Sequence, residues 1–302
     1  MNASRVDNSS KPVKPVERMA HATLYVVATP IGNLADISAR AVEILGSVGA
    51  IAAEDTRVTR HLLDHRGISA RLIALHAHNE EHAAREVLEI LADGASVALV
   101  SDAGTPAISD PGARLVGLAR EAGYAVSPIP GANAAAAAVS VSGFLSPHFL
   151  FYGFLPARSS ARRTELAALA SLPYSLVFYE APHRVMECVT DLATVFGTER
   201  RILIARELTK LFEETQVCAL GEAQAWLAAD VHRGKGEFVL VVEGVDAAAL
   251  ASEAVDVEKT LKALLDELPL KQAVALAVKI TGGSRNELYQ RALEMKGEAL
   301  KE

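Results

Sequence analysis

Three short stretches hold the ionisable side chains best placed to do chemistry. "FYEAPHR" (178–184) sets Glu180, His183 and Arg184 where an apolar strand pattern passes into a helical one. "ARELTKLFEE" (205–214) sets Arg206, Glu207, Lys210, Glu213 and Glu214 after a second such run, and "RGKGEFVL" (233–240) sets Lys235 and Glu237 ahead of a third. Carboxylates can take or orient protons, and fixed cations can stabilise developing negative charge. Taken singly, each group is also what a surface ion pair of little worth would look like. At corresponding ends of strands they read together as one wall of a cleft.

The facing wall reads as nearly bare. In "LVSDAGTPAISDPG" (99–112) a buried strand runs into Asp102, Ala103, Gly104, Thr105 and Pro106, with no Lys or Arg in the segment. Small residues let a ligand approach backbone N–H and C=O groups closely. A polyphosphate would call for positive charge here. A cationic or neutral nucleoside, met by backbone amides and one carboxylate, is the better match, although a well-capped surface turn has the same composition. "VVATPIGNL" (26–34) and "SPIPGANAAAAAVSVSG" (127–143) are two further small-residue turns after strands. The second leads into a helix of almost nothing but Ala, Val and Ser, which must pack very close to its neighbour. Open α/β sheets bind ligands at the carboxyl ends of their strands, where all three turns fall.

The elements that must position these groups alternate along the chain. Apolar runs such as "TLYVVA", "RLIALHA", "SVALVS" and "YAVSPI" are separated by helical stretches such as "EEHAAREVLEILADG". That alternation predicts α/β units around a mostly parallel sheet. Asp110-Pro111 is expected to cap and start a helix, and Gly94 and Gly123 to stop two. A second series opens at "HFLFYGFLP" with strands richer in Phe and Tyr. The expected organisation is a tail over 1–21, one α/β domain over 22–145, a second over 146–245, a linker near 246–256 and a helical unit over 256–302. In that unit "ITGGSRNELYQRAL" resembles the turn of a helix-turn-helix, with a small docked helical bundle as the equal alternative.

Composition narrows the classes. The chain has 302 residues, half of them hydrophobic, and a formal net charge of −7, which argues against indiscriminate coating of nucleic acid. Basic residues nonetheless cluster, Arg57, Arg60, His61, His65 and Arg66 in one stretch and Arg158, Arg162 and Arg163 in another. On charge alone, solvated helix faces are the better explanation. Two cysteines, Cys188 and Cys218, are too few for a disulfide framework, read as buried packing residues, and fit a reducing cytoplasmic compartment. No apolar run reaches membrane-span length, so no membrane is expected. The sequence contains no dinucleotide GxGxxG after a strand, no phosphate-loop GxxxxGK[ST] and no GxSxG elbow. His76 with His78, and His61 with His65, lack companions at ligand spacing, so no metal is expected.

The segments "LYVVATPIGNLADISARAVEIL", "IAAEDTRVTRHLLDHRGI", "LVSDAGTPAISDPG", "FYGFLPA", "LVFYEAPHR", "ARELTKLFEE" and "GKGEFVLVVEG", in this order, closely resemble the ribosomal RNA small-subunit methyltransferase I family. That family is a branch of the tetrapyrrole (corrin/porphyrin) methylase superfamily. The resemblance implies a two-domain α/β fold, a homodimer, and S-adenosylmethionine held between the domains. The implied reaction is 2′-O-methylation of a cytidine ribose in the decoding region of 16S rRNA, free or in the small ribosomal subunit. Cofactor contacts would fall on Ile31, Asp102, Ala103, Gly104, Thr105, Ile108, Asn133 and Ala134, and on Glu180, Leu208 and Phe238 from the second domain.

A ribose hydroxyl is a poor nucleophile, so Glu180 or Glu207 is expected as base or orienter, with Arg184 and Lys210 on phosphate or developing oxyanion. Arg57, Arg60, Arg158, Arg162 and Arg163 are the expected phosphate contacts. Two alternatives remain at this stage. One is a tetrapyrrole or other small-molecule methylase of the same superfamily, which would not require Arg-rich stretches or a helical extension. The other is a non-catalytic ribosome-assembly protein, which only 5% aromatic residues equip poorly for stacking on single strands.

Overall fold

The computed structural model describes residues 22–76, 79–245 and 257–299. The expected tail over 1–21, the linker over 246–256 and His78 lie outside the described residues.

The first sheet contains β1 (Thr23–Val27), β2 (Ala50–Ala53), β3 (Leu72–Ala74), β4 (Val97–Val100) and β5 (Ala125–Ile129), all parallel, in the spatial order β3-β2-β4-β1-β5. β2 and β4 are buried at every position, as expected of central parallel strands covered on both faces. The covering helices are α1 (Ala39–Leu45), α2 (Thr56–His65), α3 (Glu80–Ala92) and α4 (Ala113–Glu121). Leu24, Leu99, Leu91 and Leu115 form the core on one face, and Val27, Leu45, Ile51 and Leu63 on the other. α3 and α4 stop just before Gly94 and Gly123, as the sequence predicts.

The start of α4 differs from expectation. It begins at Ala113, not at Pro111, and Asp110 is no cap. Glu80 accepts the Gly112 N–H (3.1 Å), which leaves the Asp110 carboxyl to turn toward the cleft described below.

The Ala-rich helix α5 (Ala134–Ser140) leaves the first sheet altogether. Its Ala135 and Ala138 pack on Val177, Leu203, Ala205, Val239 and Val241 of the second sheet. Side chains of one carbon allow the close approach, and α5 thereby ties the two lobes together.

The second lobe comprises β6 (Phe149–Phe154), α6 (Ser159–Leu169), β7 (Ser175–Glu180), α7 (Val185–Phe196), β8 (Arg201–Arg206), β9 (Glu214–Ala219), α8 (Leu220–Ala228) and β10 (Phe238–Val242), with strand order β6-β7-β10-β8-β9. Only β6 and β7 are parallel; the remaining pairs are antiparallel. Phe178, Leu192, Ile204 and Leu240 are central to its core, with Cys188 buried among them; Cys218 is half-buried, and both cysteines are free.

Three further helices, α9 (Val257–Glu267), α10 (Leu270–Thr281) and α11 (Arg285–Ala299), pack on one another through Leu261, Val274, Ala277, Leu288 and Ala292. The turn between α10 and α11 runs through Gly282 in the left-handed conformation, the helix stop read from "TGGS".

Candidate active site between the lobes

β1 and β4 are neighbours, so the turns that follow them are neighbours too. They are tied by Thr29 N–H to Gly104 O (2.8 Å) and Gly104 N–H to Thr29 O (3.1 Å). Gly104 has φ +81°, a backbone conformation that a side chain would strain, which explains the glycine. From the other lobe, β10 runs antiparallel between β7 and β8, pairing Phe238 with both Glu180 and Arg206. The beginning of β10 therefore lies beside the ends of the other two strands. That register collects the three ionisable stretches on one wall.

Between the walls is a cavity of about 370 Å³. It is lined from the first lobe by Ile31, Ala103, Gly104, Thr105 and Ile108, then by Asn133 and Ala134 at the start of α5. Glu180, Leu208 and Phe238 line it from the second lobe. Asn133 caps α5 by accepting the Ala136 N–H (3.0 Å), and Thr105 donates to Ala132 O (3.3 Å), so the bare backbone is held in place. The sequence reading placed Glu237 on the cleft wall without giving it a role, and missed Asp110, Phe154 and Tyr179 on this lining. The signal for Asp110 lay in the same bare turn, where it had a competing explanation as a cap. The rings of Phe154 and Tyr179 meet edge-on at 5.7 Å, an apolar corner that only the parallel pairing of β6 with β7 creates.

Asp102 is the one expected cofactor contact that the structure puts elsewhere. It lines a second cavity, of about 260 Å³, together with Pro30, Gly32, Thr59, His61 and Lys210. The two cavities share Ile31, Ala103 and Glu237 as walls, so they are adjoining compartments of one cleft.

None of the residues lining the larger cavity is Lys or Arg, whereas Asp110, Glu180 and Glu237 are acidic. Burial, followed by the charges of Glu54 and Asp102, pushes the Asp110 carboxyl up to about 6. The Glu180 side chain is fully buried. Its Oε1 accepts the Ala181 N–H (2.8 Å) and sits 3.1 Å from Arg184 Nε, while Oε2 has no nitrogen or oxygen donor among the described residues. The Cys188 thiol, pushed up chiefly by burial, faces the same carboxylate from behind. Such a lining suits a cation and repels a polyphosphate.

The four expected catalytic residues divide. Lys210 is on the wall of the smaller cavity, its Nζ 2.8 Å from Glu207 Oε1 and 2.7 Å from Glu237 Oε2. Burial pulls this lysine down, but the two carboxylates outweigh it and hold it above the ordinary lysine value. It is a cation at neutral pH. Glu207 lines neither cavity; it lies behind Lys210 and also accepts the Glu237 N–H (2.9 Å). Burial raises it, yet bonds from Lys210 and the Glu237 amide leave it below the usual carboxylate range. Held this way, it buttresses the lysine ammonium. Arg184 lines neither cavity, because its guanidinium is spent on Leu155 O and Glu180.

Backbone strain concentrates here. The non-glycine residues with positive φ among those described are Ala107 (65°), Ser109 (65°), Glu207 (53°) and Thr209 (66°), all in the two loops that face each other across the cleft. Each such residue costs on the order of 1 kcal/mol or more and persists only where its surroundings over-determine it, as at ligand sites.

Among the basic candidates, Arg57, Arg60 and Arg158 are exposed, and Arg57 pairs with Asp55. Arg163 is half-exposed and bonded to Asp191 (2.6 Å). Arg162 is a correction. It is fully buried, with Nε 2.6 Å from Asp191 Oδ2 and NH1 donating to Pro156 O and Ala157 O. It locks α6 to α7 and cannot reach RNA. No group of His, Cys, Asp and Glu among the described residues could hold a metal ion.

A two-lobed α/β chain with a ligand cleft between bare turns and an ionisable wall defines a class, and the family model for Tetrapyrrole (Corrin/Porphyrin) Methylases matches residues 23–224. A solved cobalt precorrin-4 methyltransferase has the same fold, with a TM-score of 0.56 at 14% identity over 76% of this chain and 97% of that one. Residues 251–296 match the model for the RsmI C-terminal HTH domain. Proteins named Ribosomal RNA small subunit methyltransferase I are 51% identical in Escherichia coli O157:H7, over 91% of this chain and 96% of the relative, and 53% identical in Xylella fastidiosa, over 88% and 97%. The chain belongs to the ribosomal RNA small subunit methyltransferase I family.

Proposed function

We propose that this protein transfers the methyl group of S-adenosylmethionine to the ribose 2′-hydroxyl of a cytidine in 16S rRNA. One observation carries this reading: the cleft has two adjoining compartments, one acidic and free of Lys and Arg, the other with a buttressed lysine on its wall. The relatives' printed name supports an rRNA substrate.

The larger compartment fits the donor. Gly104, Thr105 and Ala134 offer backbone at close range, Phe154 and Tyr179 offer an apolar corner, and Glu180 and Asp110 offer negative charge to a cation. When bound there, S-adenosylmethionine supplies an activated methyl group on a sulfonium. Lys210 faces the adjoining compartment as a fixed cation and stabilises charge developing on the acceptor oxygen as the hydroxyl proton passes to solvent water. Glu207 and Glu237 hold its ammonium in place, and the two walls fix the approach, which contributes several kcal/mol through orientation. Arg57, Arg60 and Arg158 are phosphate contacts in this proposal, with Arg163 at the margin.

Exposed Val141, Leu145 and Phe149, close together in the chain, support association into a homodimer. No helix among the described residues is long and apolar enough to cross a membrane; the proposed place of action is the cytoplasm. A small-molecule methylase has less support, since the tetrapyrrole enzyme shares the fold at only 14% identity. Transfer of labelled methyl to small ribosomal subunits, naked 16S rRNA and uroporphyrinogen tests the proposal. Label in the RNA is the expected result, and label in the tetrapyrrole alone would overturn it.

A further inference from the structure

We infer that the smaller compartment receives the base of the acceptor nucleoside, and that the Asp102 carboxylate selects a base carrying an exocyclic amine there. This rests on the methyltransferase reading above and deepens it.

The compartment has the size and lining for a single nucleoside. Its volume is about 260 Å³, and Pro30, Val58 and Leu62 provide apolar surface for the faces of a base. Lys210 and Glu237 mark the side toward the donor compartment, so the ribose belongs at that border and the base beyond it. A base stacked in its strand cannot enter such a recess. The substrate nucleotide must be turned out of the stack, as enzymes that work on single nucleotides within a chain require.

Asp102 is oriented for reading. Its Oδ1 accepts the Asp55 N–H at 2.9 Å, which anchors one oxygen of the carboxylate. Its Oδ2 has no hydrogen-bond partner among the described residues, although the residue lines the compartment. An ionised carboxylate only accepts hydrogen bonds. It therefore matches the amino group of cytosine and opposes the carbonyl that uracil presents at the same position. Lys210 offers only donors, and Glu237 stands at the border with the donor compartment, where the ribose is placed, so neither occupies the position that reads the base. The first-lobe turn that gives the donor its bare backbone thus gives the acceptor its specificity, through the next residue back.

Asp102→Asn is the informative variant. Its amide keeps an oxygen for the Asp55 N–H and presents an NH₂ where the carboxylate oxygen stood. Single-turnover transfer is measured on small subunits reconstituted with cytidine or with uridine at the acceptor position, alongside calorimetry of donor binding. The wild type is expected to favour cytidine, and the variant to lose roughly tenfold or more of that preference. An unchanged cytidine-to-uridine ratio overturns the assignment of Asp102. So does a variant that binds the donor normally yet transfers to neither substrate, since Asp102 would then serve the chemistry itself. A wild type that methylates neither subunit overturns the methyltransferase reading instead.

Discussion

Gly32 of the first lobe and Lys210 of the second touch so closely that a Cβ on Gly32 would lie 2.4 Å from Lys210 Cγ. The same Cβ would meet Thr209 Oγ1 at 2.9 Å and the Leu208 carbonyl at 3.0 Å. The lysine side chain could rotate away, but the carbonyl belongs to a turn strained at Glu207 and Thr209 and has little freedom to retreat. Gly32→Ala is therefore expected to displace Lys210 and lower the single-turnover rate about tenfold or more, as small misplacements of catalytic groups do. Retention of the full rate would show that this contact does not align the lobes.

Lys210→Met keeps most of the side chain's bulk and removes its charge. Loss of a preorganised charge-stabilising donor costs roughly a hundred- to a thousandfold in turnover. Donor affinity should hardly change, because Lys210 lines only the smaller compartment. Glu207→Gln should cost less, since Glu237 still holds the ammonium. Rapid-quench transfer assays paired with calorimetry separate these effects, and equal losses in affinity and rate would count against the assigned role.

Asp110 couples the site to pH. Its carboxyl is raised from 3.8 to about 6, first by burial and then by Glu54 and Asp102. A cation in the same cavity favours the ionised form, so donor affinity should fall as pH drops through about 6. Because the folded value is above the unfolded one, the stability this group contributes is fully present below 3.8 and is lost as pH rises through about 6. Asp110→Asn should bind the donor more weakly with this dependence removed, and should gain melting temperature over wild type at neutral but not acid pH. Calorimetry and thermal melts at several pH values check both.

Arg162 and Arg158 lie four residues apart and should behave oppositely. Arg162→Met leaves Asp191, 3% exposed, with only Arg163 and Ser159 as partners. Breaking such a buried pair costs about 3 kcal/mol, visible in urea melts. Arg158→Ala should leave stability alone and reduce the slope of log affinity for RNA against log salt by about one. An RNA-binding defect in folded Arg162→Met protein, with no loss of stability, would contradict the burial argument.

The sequence by itself indicated most of the strands, though not β2 or β9, and the bare turns; the family resemblance added eleven residues, ten of which line the larger cavity. Apolar periodicity and small-residue turns act within a few residues, so "SVALVSDAGTP" and "YVVATPIGN" reveal a strand end open to ligand without any partner in view. The sequence also supplied the family, through motifs kept in order. It could not tell which ionisable side chains work. Arg162 looked like its exposed neighbours until Asp191, from α7, met it. Glu207 and Lys210, three residues apart, looked alike until the residue before β10, Glu237, met the lysine and Glu207 proved to line neither cavity. Asp102 lines the smaller compartment, where the amide of Asp55, from the neighbouring β2–α2 turn, bonds its carboxylate. Those pairings join residues distant in the chain, and their energies depend on strand register and burial, quantities that exist only once both sheets have formed.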